Sequence, residues 1–121
     1  AYAVQRTLKR LVAEQSCVII GRCASVFLAG LPLLSVFIYA DDGDCLRRIE
    51  ERNHISEEEA RKRFKQINRL RRQYVDFHSD TGWGKPGSYD LMLSSSALGI
   101  EGCVELIKES LSYRKAVCSH E

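Results

Sequence analysis

The side chains best placed for chemistry in this sequence are arginines. Arg22 follows the apolar run "CVIIG", residues 17 to 21, where a buried strand should turn into helix. Farther on, Arg61, Lys65, Arg69 and Arg72 share one narrow sector when the chain is wound as a helix. Arg71 falls outside that sector, among Ala60, Phe64, Ile67 and Tyr74, which define an apolar one. A guanidinium holds its donors in a rigid fork that matches phosphate or carboxylate oxygens two at a time. Buried and unpaired it costs several kcal/mol, so Arg71 must meet an acid, reach water or await an anion.

Each residue also has a plainer reading. Arg61 and Lys65 read as a solvated helix face. Arg71 can pair with Asp41, Asp42 or Asp76. Arg22 can be a charged helix start, although a cation there opposes the helix dipole. Two arginines in awkward positions together favour an anionic ligand more than either does alone. Asp41 and Asp42 are placed to bind magnesium from a strand end, or to cap a helix. Cys23 lacks a neighbouring base and reads as a structural thiol. His54 and His78 lie far from any histidine or cysteine at metal-ligand spacing, so no metal site is expected. Trp83 and Tyr89, in "DTGWGKPGSYD", can stack on a base, but packing beneath a loop is their expected role.

The elements that must position these residues follow from periodicity. Val4, Leu8, Leu11 and Val12 predict a helix over 3–14. "CVIIG" and "LSVFIYA", residues 34 to 40, predict strands buried on both faces, and "YDLML", residues 89 to 93, a weaker third. Ser56 with Glu59 forms a capping box for a helix over about 57–77. Ile100, Val104, Ile107 and Leu111 mark a last helix. The alternation predicts an α/β fold with a parallel sheet and covered faces. Ligands of such sheets gather beyond the strands' carboxyl ends, here Gly21-Arg22, Asp41-Asp42 and Ser94 to Ser96.

A length of 121 residues suits one domain, 1–121, and the mix of 45% hydrophobic and 28% charged residues is that of a globular protein. A formal charge of +2 is too small to announce nucleic acid, so any basic site must be local. The five cysteines form no CxxC pair and read as reduced thiols of a cytoplasmic protein. Residues 23 to 40 are uncharged, but Gly30 and Pro32 interrupt them, which argues against a membrane span. The start of the chain lacks the pattern of a signal peptide and begins inside a helix.

The strings "CVIIGRCA", "RLRRQY", "WGKPGSYDL" and "SSALGIEG", in this order, resemble the cytidylate kinase-like family of nucleoside monophosphate kinases. The resemblance implies a P-loop kinase fold that transfers a phosphoryl group from ATP to a nucleoside monophosphate, CMP being expected, with Mg2+. It implies a helical lid over about 42–79, with Arg69 and Arg71 as catalytic clamps on phosphates and Gly21, Arg22 and Arg72 on the substrate side. Ser25, Asn68 and Ser94 depart from it, standing where the pattern expects acids. None of the eight glycines sits in a GxxxxGK[ST] loop. The sequence is therefore expected to be the carboxyl-terminal portion of such a kinase, without the P-loop strand and helix and inactive alone. The remaining strands must then pair with each other or be covered by another chain, as in a homo-oligomer. The alternative is a non-catalytic module that binds a polyanion or an acidic protein through the face from Arg61 to Arg72.

Overall fold

The computed structural model describes residues 2–21, 24–28, 30–78 and 82–114. Its elements run α1 (Tyr2–Glu14), α2 (Ala24–Phe27), β1 (Val36–Tyr39), α3 (Asp42–Asn53), α4 (Glu57–His78), a 3-10 turn (Pro86–Ser88), β2 (Leu91–Ser94) and α5 (Ser95–Tyr113). β1 and β2 form a two-stranded parallel sheet in which Val36 faces Leu91 and Tyr39 faces Ser94. The register is set at its start, where the Asp90 and Leu91 amides donate to the Ser35 carbonyl at 2.8 and 3.1 Å. Asp90 Oδ2 accepts the Ser35 amide at 2.8 Å.

"CVIIG" is not a strand, which corrects the sequence reading. A strand needs a neighbour to take its backbone groups. Among the described residues β1 and β2 pair only with each other, and Val18 and Ile20 are 94% and 90% exposed. The expected covering of both sheet faces also fails, because Ile38 and Tyr39 of β1 are exposed. The buried apolar residues among those described are Leu8, Leu28, Ala60, Leu93 and Cys103.

α4 begins where its capping box predicts. Ser56 Oγ accepts the Glu59 amide at 3.2 Å, while the Glu59 carboxylate takes Arg63 at 3.5 Å. α3 ends at His54, whose left-handed backbone (φ 53°, ψ 49°) lets its amide reach the Glu50 carbonyl. This short turn folds α3 back against α4. α5 packs on the sheet with Cys103 buried; of the expected core stripe Ile107 is half-buried, whereas Ile100, Val104 and Leu111 are exposed. A kink at Gly99 (φ 74°, ψ 166°) sets this phase, because it breaks the helical repeat between the first turn and the stripe.

Candidate functional site

The carboxyl ends of both strands meet, as the topology of parallel sheets requires. The Asp41 amide donates to Ser96 Oγ at 2.8 Å, and Ser95 Oγ donates to the Tyr39 carbonyl at 3.1 Å. Ser94 caps α5 by accepting the Ala97 amide at 3.1 Å. Consecutive serines therefore join β1 to β2 and start α5. Over this junction lies a cleft of about 570 Å³, walled by β1, α3, α4 and the segment Trp83-Gly84. That volume suits a small-molecule ligand.

The cleft is cationic. Arg48 and Arg52 enter it from α3, Arg71 and Arg72 from α4, and Asp42 is the one acid among its lining residues. Arg48 donates from Nη1 to Ser95 Oγ at 3.2 Å. Arg72 lies over the indole of Trp83, 5.6 Å from the ring centroid. Arg71 is exposed and has no ion pair among the described residues. Of the three acids that could have paired with it, Asp76 instead accepts the Trp83 amide at 3.1 Å. Arg71 thus avoids burial within the apolar sector by facing the cleft.

Trp83 is held from β1 and α4 as well as by its own segment. Its ring meets Phe37 edge-on at 5.4 Å, and Phe37 also contacts Tyr89 at 4.9 Å. Ser88 Oγ donates to the Gly82 carbonyl at 2.6 Å. Gly82 and Gly84 have φ of 91° and 74°, so both sit in the left-handed region that favours glycine. Packing beneath a loop is therefore the role of these aromatics, with the added one that Trp83 lines the cleft.

The other sequence candidates lie elsewhere. Arg69 is not among the residues lining the cleft; it lines an adjoining groove along α4, with Lys65 and Asp76, that shares Phe64, Asn68 and Arg72 with the cleft. Arg61 is paired with Glu57 at 2.6 Å. Gly21 has the left-handed φ of 72° but is not among the residues lining the cleft. Arg22 and Cys23 lie outside the described residues, as does the side chain of Ser25. Asp41 stands at the N-cap of α3 without a side-chain capping bond. Arg48 and Arg52 were missed by sequence reasoning. They are four apart on α3, so the helical repeat places them on one face, and this spacing just beyond a strand end was the available signal.

Magnesium and ATP were implied by the resemblance. Among the described residues no three histidines, cysteines or acids are grouped as a metal cage would need. The cleft's guanidinium groups suit phosphate oxygens, and its single acid does not make a protein-held metal site. No helix among the described residues is long and apolar enough to cross a membrane.

No curated protein matches the chain. A crystal structure of an uncharacterized protein from Eubacterium ventriosum ATCC 27560 is similar in fold, with a TM-score of 0.84 at 24% identity. The match covers 93% of this chain and 63% of that one, so this chain spans less than two thirds of its neighbour's length. The family model described as "Cytidylate kinase-like family" matches residues 1–97, from α1 through β2 to the first turn of α5. The chain belongs to the cytidylate kinase-like family.

Proposed function

We propose that the cleft between α3 and α4 binds the phosphates of a nucleotide, and that the chain is part of a P-loop nucleoside monophosphate kinase acting on CMP. The observation that carries this reading is Arg71. It stands in an otherwise apolar helix sector, pairs with no acid among the described residues, and shares the cleft with Arg48, Arg52 and Arg72. Four arginines against one acid repel one another until an anion neutralises them. Phosphoryl transfer places its largest demands on this kind of charge balance and positioning. Membership of the family supports the same reading.

ATP with Mg2+ would be the phosphoryl donor. The sequence holds no GxxxxGK[ST] loop, so activity is not expected of this chain alone. A cytoplasmic setting fits the free thiols of Cys17, Cys45 and Cys103. The polyanion reading is less favoured because Arg61, at the start of that basic face, is engaged by Glu57, and Arg72, at its end, lies over Trp83 in the cleft.

Titration calorimetry with CMP tests the reading. Wild-type chain should bind, and Arg71→Ala should weaken binding about tenfold or more, the loss expected of a charge-assisted phosphate contact. A folded wild type that does not bind CMP would count against it.

A further inference from the structure

We propose that Ser95 is a positioning residue for Arg48. Its hydroxyl fixes that guanidinium at the cleft so that its remaining donors meet an anionic phosphoryl group. The inference rests on the reading that the cleft takes phosphates, and it adds a residue to which that reading assigns no part. Ser95 is 6% exposed, the buried polar side chain among the described residues, and its one hydroxyl serves both sides of the junction. The proton is given to the Tyr39 carbonyl at 3.1 Å, which turns the oxygen's lone pairs toward α3. There Oγ accepts from Arg48 Nη1 at 3.2 Å.

The flanking serines have other duties, Ser94 on the Ala97 amide and Ser96 on the Asp41 amide, so neither can replace it. Arginine is a long side chain with much rotamer freedom to lose, and one bond to a buried, immobile acceptor removes part of that loss before a ligand arrives. Arg48 is half-buried, unlike Arg52, Arg71 and Arg72, which are exposed. It has no ion pair among the described residues, so its charge remains available to an anion. A serine that merely tied β2 to β1 would leave the arginine's contribution to binding untouched, and this difference is measurable.

The test is calorimetric titration of the full chain with inorganic pyrophosphate and, separately, with CMP. Circular dichroism is used to confirm that each variant folds. Ser95→Ala should weaken pyrophosphate binding about threefold to tenfold, the cost of leaving one long side chain to be ordered on binding. Arg48→Ala should weaken it at least as much, and the Ser95→Ala/Arg48→Ala double variant no further than Arg48→Ala. Paired with Arg71→Ala, by contrast, Ser95→Ala should multiply, because Arg71 does not touch Ser95. Should Ser95→Ala not fold, Ser95→Cys, of similar shape but a far weaker acceptor, carries the same comparison.

Unchanged affinity in Ser95→Ala, or multiplicative losses with Arg48→Ala, would overturn the proposal, as would a wild type that ignores pyrophosphate. The predicted pattern with pyrophosphate supports it even if CMP fails to bind, and that failure then counts against the nucleotide reading alone.

Discussion

Arg71 and Trp83 show how single side chains give this cleft its character. Arg71 keeps its charge unpaired among the described residues, within an apolar sector of α4, while Arg72 rests on the indole of the chain's one tryptophan. Trp83→Leu removes that cation–π contact and the edge contact with Phe37. It should weaken CMP binding about twofold to fivefold, measured by calorimetry, the range set by an exposed cation–π pair. The same indole should report on binding, its fluorescence changing as CMP enters beside the Arg72–Trp83 pair, and a flat emission at saturating CMP would argue that the ligand sits elsewhere. Arg71 was legible in the sequence because a cation in an apolar sector is conspicuous. Arg48 was less so, because its four-residue spacing from Arg52 is a weak mark on a polar helix, and it is the packing of α3 beside the serine junction that sets Arg48 at the cleft.

Helix ends and kinks decide where these side chains point. The left-handed His54 closes α3, and a β-carbon in that conformation is strained. His54→Gly should raise stability by about 1 kcal/mol, read from urea denaturation, and a loss of stability would show that the imidazole itself matters. Gly99 has the opposite standing. Its φ of 74° and ψ of 166° are all but restricted to glycine, although nothing lies within 4 Å of a β-carbon built there. Gly99→Ala should therefore cost about 1–3 kcal/mol through the backbone alone. An unchanged melting curve would mean that the kink relaxes freely. α4 was legible to within a residue, since its capping box fixes the start. The phase of α5 was not, because Ile100, Val104 and Leu111 keep helical spacing whichever face is buried, and the kink and the small Gly102 decide between them.

At the scale of the whole molecule the apolar surface is the salient feature. Val18, Ile20, Ile38, Ile100 and Leu111 are all more than half exposed, beside a sheet of two strands with open edges. Unpaired strand edges are templates for pairing with another chain, and exposed apolar side chains add to that tendency. The chain in isolation should associate as concentration rises, seen by sedimentation velocity, and a strict monomer at every accessible concentration would contradict this. The α/β order and the parallel pairing were legible from alternating periodicities. The failure of "CVIIG" to form a strand was not, since composition reveals that a segment suits a sheet but not whether a neighbour is there to receive it.

The central claim is that nucleotide phosphates bind between α3 and α4. Its most direct test follows the arginine Nε–H and Trp83 indole N–H resonances by NMR during a CMP titration. The account predicts shifts at Arg48, Arg71, Arg72 and Trp83, with Arg61 and Arg63, paired to Glu57 and Glu59 and absent from the cleft lining, unmoved. Shifts confined to Arg61, Arg63 and Arg69, with the cleft arginines silent, would contradict it.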